Sequence, residues 1–215
     1  MGHGYPVFLN LTGQSCVVIG GGFVAERKVR SLLESGACVT VVAPQATPWL
    51  TEACQHKKVR LITRAFQPED IDRPFLVVAA TDDLETNRQV ADYCLNHGVL
   101  VNVADDPEKS SFIVPAVVRR GPLAIAVSTD GNSPYLARKI RQHLEEEFGP
   151  EYEEFLRLMG SLRKEIIASV ENIEDRQQVI RKLVDSDILQ LIGRGDSETV
   201  KERINYVLGS SGIKP

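Results

Sequence analysis

The segment from residue 16 to residue 42 most constrains what this chain can fold into. An apolar run at residues 16–19 leads into Gly20-Gly21-Gly22, then into an amphipathic stretch, then into a second apolar run at residues 39–42. This order predicts a β-strand, a tight turn, an α-helix and a second strand parallel to the first. With Ala25, the glycines have the G-x-G-x-x-A spacing of a dinucleotide-binding turn.

Each small residue of this turn has a predicted task. Gly20 permits the sharp exit from the strand, Gly22 lets backbone approach a pyrophosphate, and Ala25 lets the helix lie close to the strand. The helix would offer its free N–H groups and positive end to the phosphates. A glycine-rich turn that binds nothing is the alternative.

One element of the pattern is absent. An acidic residue usually follows the glycines by about 20 residues and holds the ribose hydroxyls, but residues 42–45 read Val-Ala-Pro-Gln. Gln45 can bond a hydroxyl, yet no carboxylate excludes a 2′-phosphate. These residues therefore leave NAD and NADP both open.

The first half of the chain alternates between apolar runs and helical segments, which predicts an α/β Rossmann-type parallel sheet with helices on both faces. The predicted strands cover residues 15–20, 38–43, 58–63, 75–80 and 99–103, and the predicted helices cover residues 23–35, 47–56 and 83–97.

The alternation stops near residue 112. Apolar runs at residues 112–118 and 123–128 flank a turn at residues 119–122, which predicts a β-hairpin. Ser133-Pro134 opens a helix that ends near residue 148, and residues 151–208 have helical spacing. We expect three parts: a dinucleotide-binding domain (1–111), a dimerisation hairpin and helix (112–150), and a small all-α domain (151–215). Because both hairpin strands are apolar, we expect a homodimer.

Composition excludes some classes of protein. A net charge of −4 over 215 residues argues against a nucleic-acid binder. No apolar run is long enough to span a membrane and no leader is evident, so we expect a cytoplasmic protein. The four cysteines have no paired spacing and are expected to be buried thiols. The four histidines (His3, His56, His97 and His143) show no metal-ligand spacing, so no metal site is predicted.

Two acidic segments follow predicted strands, where ligands bind in open α/β sheets. Thr81 and Asp82 are expected to border the dinucleotide, although Asp82 and Asp83 are equally suited to cap the next helix. Asp105 follows the fifth strand, where burial would favour proton transfer. Its alternative is a loop carboxylate before Asp106-Pro107.

Basic side chains are grouped locally in spite of the acidic total. Arg120 lies at the predicted hairpin turn, and Arg138 lies on the helix opened by Ser133. A substrate with several carboxylates would favour these groups and that helix N-terminus. A solvated surface is the alternative for each of them.

Taken together, these motifs resemble the siroheme synthase N-terminal family, which comprises precorrin-2 dehydrogenases and, in some members, sirohydrochlorin ferrochelatases. The resemblance covers residues 5–150 in family order. It rests on residues 5–9, 20–28, 39–44, 79–83, 102–105, 111–115 and 133–138.

The resemblance implies NAD-dependent oxidation of precorrin-2 to sirohydrochlorin, with Fe²⁺ or Co²⁺ insertion in some members. It assigns Gly22, Phe23 and Val24 to the cofactor turn, and it places Pro44 and Gln45 at the adenosine ribose, which favours NAD. It makes Asp105 the general base and implies a homodimer. Since the chain ends at Pro215, we expect a form without the methyltransferase domain of fused relatives.

A regulatory function without catalysis is the alternative. A Rossmann unit that binds NAD, dimerises and regulates a partner without catalysis would show the same glycine turn and hairpin. Asp105 and the arginines argue against it, because a sensor needs neither a base in its cleft nor a polyanion site.

Overall fold

The computed structural model describes residues 4–210 and divides the chain into two compact units, one reaching to Val114 and the other starting at Pro115. The predicted three-part division, with a separate dimerisation segment at residues 112–150, stays a prediction. His3 lies outside the described residues.

The first unit contains five parallel strands in the order β3-β2-β1-β4-β5. The strands are β1 (Ser15–Ile19), β2 (Cys38–Val42), β3 (Val59–Ile62), β4 (Leu76–Ala79) and β5 (Leu100–Val103). All five lie within the predicted ranges. The predicted fold class is confirmed, and the order of strands reverses direction between β1 and β4, where open α/β sheets bind ligands.

Three helices connect these strands: α1 (Phe23–Glu34), α2 (Pro48–Gln55) and α3 (Leu84–Asn96). Short 3-10 turns lie at Pro68–Asp70 and Pro107–Lys109. Both faces of the sheet are covered. Val18 and Val41 pack with residues of α1 and α2 on one face, whereas Val17 and Val77 pack with residues of α3 on the other. This two-sided burial is why the strands read as continuous apolar runs.

The second unit begins with an antiparallel hairpin, β6 (Ala116–Arg120) and β7 (Leu123–Val127). Five helices follow: α4 (Pro134–Glu147), α5 (Glu151–Ser169), α6 (Ile173–Val184), α7 (Ile188–Gly193) and α8 (Ser197–Ser210). The last four share one apolar core, which includes Phe155, Ile166, Leu183 and Ile188. The predicted hairpin and helical C-terminal region are therefore confirmed.

The hairpin boundaries differ from the prediction. Residues 112–115 are not in a strand, and Arg119 and Arg120 lie within β6 because the turn consists only of Gly121 and Pro122. The start of the overestimated run is bonded to β5 instead: the Ser111 N–H donates to the Val101 carbonyl, the Ser111 hydroxyl accepts from the Val101 N–H, and the Phe112 carbonyl accepts from Asn102 Nδ2. Residues 111–112, which precede β6, are thus hydrogen-bonded to β5. Gly121 has φ +53°, as the first central residue of a type II′ turn requires.

No helix within residues 4–210 is long and apolar enough to cross a membrane, and no cluster of three or more His, Cys, Asp or Glu within that range could hold a metal ion. The cysteines are all free. Cys16 and Cys94 are buried as predicted, and burial raises the pKa of each to about 11. Cys38 is exposed, so the prediction was wrong there.

A polar cluster that the sequence did not reveal joins α1 to the start of α2. The Thr47 hydroxyl donates to Glu26 Oε2 at 2.7 Å and caps α2 by accepting from the Leu50 N–H. Arg30 donates to the other Glu26 oxygen at 2.6 Å and lies 3.8 Å above the ring of Trp49. The Thr47 bond is the main cause that lowers the pKa of the Glu26 carboxyl, and the Arg30 bond adds to it.

Replacement of the buried Thr47 by Val should lower the free energy of unfolding of the first unit by about 1–2 kcal/mol, because the substitution removes a helix cap and a bond to a carboxylate. Trp49 is the only tryptophan of the chain, so its fluorescence during urea unfolding reports on this unit. Thr51→Val is the matched control, since Thr51 is exposed and bonds only the carbonyl of its own helical turn. Equal stability of the two variants would contradict the role given to Thr47.

Candidate dinucleotide and substrate site

Gly20 makes the sharp turn at the end of β1, as predicted. Its φ is +124°, a conformation that residues with a side chain rarely adopt. A Cβ placed there would collide with the Ala80 carbonyl oxygen at the end of β4. The Gly20 N–H donates to the Val42 carbonyl of β2 at 2.9 Å. The turn is therefore in contact with the strand ends on both of its sides.

Gly21 has a packing role that the fingerprint did not indicate. A Cβ on this residue would collide with the carbonyl oxygen of Gln45, and its own carbonyl accepts from the Thr47 N–H at 2.9 Å. The glycine turn and the loop after β2 thus lie backbone against backbone. The run of three glycines was the available signal, because the fingerprint itself requires only the first and third.

Gly22 is the one glycine of the turn with open space. A Cβ there would meet no atom within 4 Å, and the residue stands at the N-terminus of α1 in an extended conformation with no side-chain cap. The first N–H groups of the helix are therefore available to an anion, and backbone can approach it. Phe23 is 82% exposed and Val24 39%, although both are apolar. The open helix N-terminus at Gly22 is the arrangement that a bound pyrophosphate would need.

Pro44 and Gln45 are exposed directly after β2. The carbonyl of Gln45 faces Gly21, as described above, so its side-chain amide is the polar group left to meet a ribose. Both residues follow a strand that pairs with β1. The structure thus brings the predicted ribose residues next to the glycine turn.

The end of β4 forms the other border of the turn. The buried amide of Asn87 accepts from the Thr81 N–H at 3.2 Å and donates to the Thr81 carbonyl at 3.0 Å. Asp83 caps α3 by accepting from the Glu85 N–H, while Asp82 is exposed. Capping is thus the structural role of Asp83. Sequence reasoning missed Asn87, for which a polar residue on the inner face of a helix was the signal.

Asp105 lies in the loop after β5, next to the end of β4, because the Ala104 N–H donates to the Ala79 carbonyl at 2.8 Å. Its φ is +63°, which is uncommon for a residue with a side chain. The expected burial is not found, since the Asp105 side chain is exposed. The strand before it is buried, but the loop extends beyond the sheet. Its role as a base stays a prediction.

Lys28 and Asn102 form a further polar pair beside this loop. The Lys28 ammonium donates to Asn102 Oδ1 at 3.3 Å, and Asn102 Nδ2 donates to the Phe112 carbonyl at 3.1 Å. Burial lowers the pKa of the Lys28 ammonium, neighbouring Arg27 lowers it further, and Asp105 raises it. Both residues stand in segments that carried the family resemblance, yet sequence reasoning gave neither of them a task.

The predicted substrate residues lie in the second unit. Ser133 caps α4 by accepting from the Leu136 N–H at 3.2 Å, as its sequence position indicated, and Arg138 is exposed one turn further on. Their contacts with substrate stay predictions.

Arg120 lies at the opposite end of α4. Its guanidinium donates to the carbonyls of Phe148 and Glu145, at 2.9 and 3.0 Å, and to that of Arg119. These bonds satisfy carbonyls at the C-terminus of the helix. A helix of 14 residues separates Arg120 from Ser133 by about 20 Å. The basic residues that the sequence suggested as one group are therefore not together, because Arg120 lies far from Ser133. A contact between Arg120 and substrate stays a prediction, and it would require the guanidinium to give up some of these bonds.

The fold and the glycine turn define a dinucleotide-binding α/β protein. Two family models match the chain: one described as "Putative NAD(P)-binding" matches residues 7–116, and one described as "Sirohaem biosynthesis protein central" matches residues 120–147. The first alone spans more than half of the 215 residues. The chain belongs to the siroheme synthase N-terminal family.

Two relatives show how far the similarity extends. The siroheme synthase of Thioalkalivibrio sulfidiphilus is 35% identical over 204 residues, which make up 95% of this chain and 42% of that protein. The siroheme synthase of Nitrosococcus oceani is 37% identical over 203 residues, or 94% of this chain and 43% of that protein. The chain thus spans about two-fifths of the length of these curated relatives.

A solved structure matches over nearly its full length. SirC, precorrin-2 dehydrogenase, is similar with a TM-score of 0.81 at 27% sequence identity, over 95% of this chain and 99% of that chain.

Gly22→Asp should weaken NAD binding by more than about a hundredfold, because the new carboxylate would occupy the phosphate space and repel the phosphates. The fold should survive, since the position is open and its φ of −79° suits any residue. Calorimetric titration with NAD measures the first effect, and thermal unfolding measures the second.

Gly20→Ala provides the contrast to this substitution. Its added methyl group meets backbone at the end of β4, so it should destabilise the fold itself. Unchanged NAD affinity in a folded Gly22→Asp protein would remove the turn from the site.

Proposed function

We propose that this protein is an NAD-dependent dehydrogenase that oxidises precorrin-2 to sirohydrochlorin. The observation that carries the proposal is the open N-terminus of α1 at Gly22 on the same sheet edge as Asp105. The similarity to SirC, precorrin-2 dehydrogenase, supports the choice of reaction. The family matches support a nicotinamide dinucleotide as the acceptor.

The residues of the glycine turn bind and orient the dinucleotide. Gly22 and the first N–H groups of α1 receive its pyrophosphate, and Phe23 and Val24 border it. Thr81 and Asp82 border its other side, where Asn87 fixes the Thr81 backbone. When bound, the nicotinamide supplies the acceptor for hydride.

We assign NAD rather than NADP to this site. Residues 43–47 contain no Lys or Arg that could hold a 2′-phosphate. Arg30, whose side chain lies over Trp49 just beyond this loop, is already paired with Glu26. Pro44 and Gln45 then meet an unmodified ribose, with the Gln45 amide as the hydrogen-bonding group.

Asp105 is the proposed general base. Removal of hydride from the macrocycle must be accompanied by loss of a proton, and a carboxylate within hydrogen-bond reach can accept it. Its exposed position in the loop after β5 leaves it accessible to a large ring bound from solvent. Ser133 and Arg138 are the proposed contacts for substrate carboxylates in the second unit.

Asp105→Asn should lower the rate of sirohydrochlorin formation by roughly 10²–10⁴-fold with little change in NAD affinity, because the amide cannot accept the proton. Anaerobic assays that follow the sirohydrochlorin absorption and NADH together measure the rate. Asp106→Asn is the matched control, since it removes a neighbouring carboxylate and asparagine can still cap the 3-10 turn at Pro107–Lys109.

The same assay separates the alternatives. A near-normal rate for Asp105→Asn would leave Asp105 as a loop residue. A wild-type protein that binds NAD but never oxidises precorrin-2 would favour the regulatory alternative. Metal insertion into the product stays a prediction, which Fe²⁺ or Co²⁺ added after turnover would test.

We also propose that two copies of the chain pair through the hairpin. The strand register places Val117, Ala124 and Ala126 on one face together with the exposed Arg119 near the turn, while Val118 is buried on the other. The first face is partly open to solvent, as are the apolar Tyr135 and Leu136 on α4. A second copy offers the same apolar surface in return.

Val117→Lys should therefore convert a dimer into a monomer, because a charge would be buried at a symmetric contact. Light scattering at micromolar concentration measures the mass, expected at twice the 23.8 kDa of one chain for the wild type. Val117→Thr, which keeps the branched shape without the charge, should remain a dimer. A wild-type mass of one chain would rule the dimer out.

A further inference from the structure

We propose that the Lys28 ammonium is a binding group for a carboxylate of the tetrapyrrole substrate, held in place by the buried amide of Asn102 beside Asp105. This inference rests on the proposed function and adds a substrate contact to the first unit. The contacts that carry it all lie within that unit.

The Asn102 amide fixes where the ammonium stands. Asn102 is 8% exposed, and its Nδ2 group donates to the Phe112 carbonyl. Its Oδ1 atom must then point the other way, where it lies 3.3 Å from Lys28 Nζ. An unconstrained surface lysine has no such partner and keeps its large rotamer freedom. Lys28 is instead half-buried and hydrogen-bonded to Asn102 of β5.

The ammonium has capacity left for an anion. It carries three N–H donors, and Asn102 accepts from one of them. Burial is the largest influence on its pKa, which is lowered, and Arg27 acts in the same direction. Asp105 is the negative group that opposes them. The Asn102 amide and the Asp105 carboxylate offset only part of the cost of burying this positive charge. A second carboxylate would therefore stabilise the charged ammonium further.

The position suits this task. Lys28 stands in the second turn of α1, six residues beyond Gly22, and its side chain reaches the last residues of β5. The loop with Asp105 follows that strand directly. A carboxylate side chain of the macrocycle bound to Lys28 would thus hold the ring near the proposed base, on the sheet edge where the dinucleotide binds.

The test is equilibrium binding of sirohydrochlorin under anaerobic conditions, followed by its fluorescence, in parallel with turnover of precorrin-2. Lys28→Met keeps the apolar stem and removes the charge. It should weaken sirohydrochlorin binding and raise KM for precorrin-2 by about ten- to a hundredfold, the range for a hydrogen bond between charged groups. The NAD affinity should stay within about twofold, which also shows that the fold is intact.

Arg27→Met is the matched control. It removes one positive charge from the adjacent, exposed position of the same helix without touching Asn102. Its effect on sirohydrochlorin should be within about threefold, since an exposed charge contributes little. Lys28→Arg, which restores a cation of different shape, should recover part of the affinity.

The outcomes separate this inference from the proposed function. If the wild type oxidises precorrin-2 and Lys28→Met binds sirohydrochlorin normally, the Lys28 contact is wrong and the dehydrogenase stands. If binding depends on Lys28 but no oxidation occurs, the contact stands and the proposed reaction is wrong. A wild type that neither binds nor oxidises the tetrapyrrole overturns both.

Discussion

Close backbone packing around the glycine turn is the constraint on which the rest of the site depends. Gly20 lies against the Ala80 carbonyl and Gly21 against the Gln45 carbonyl, with no room for a side chain at either position. The ends of β1, β2 and β4 are thereby held at fixed separations. The third glycine, Gly22, is free of this packing. Neighbouring residues of the turn thus differ: the first two are packed against backbone, and the third is open.

Polar side chains complete what the glycines begin. Asn87 clamps the backbone of Thr81, Thr47 joins its loop to Glu26, and Asn102 holds Lys28. All three are buried, and each satisfies its amide or hydroxyl within the first unit. Buried polar groups must be paired, so these contacts specify one arrangement of the loops rather than merely adding stability. The exposed groups expected to meet ligands are held in place by this inner set.

The elements could be predicted from sequence because the period of the apolar residues and the glycine spacing are local signals. All five parallel strands fell within the predicted ranges. The start of the hairpin was predicted too early, and the bonds that tie the preceding Ser111 to Val101 of β5 join residues ten apart in sequence. The capping of α4 by Arg120 spans 28 residues and was also not foreseen. The exposure of Asp105 could not be predicted either, since a buried strand does not determine how far the next loop extends.

The contacts of Arg120 couple the orientation of the hairpin to that of α4. One guanidinium at the end of β6 connects the hairpin to the last turn of α4. Because Arg120 bonds the two elements together, a rotation of the hairpin would also move the C-terminal end of α4. Ser133 caps the N-terminus of that helix, and Arg138 lies just beyond its first turn. A molecule that binds the hairpin would therefore also influence the orientation of the N-terminal turn of α4.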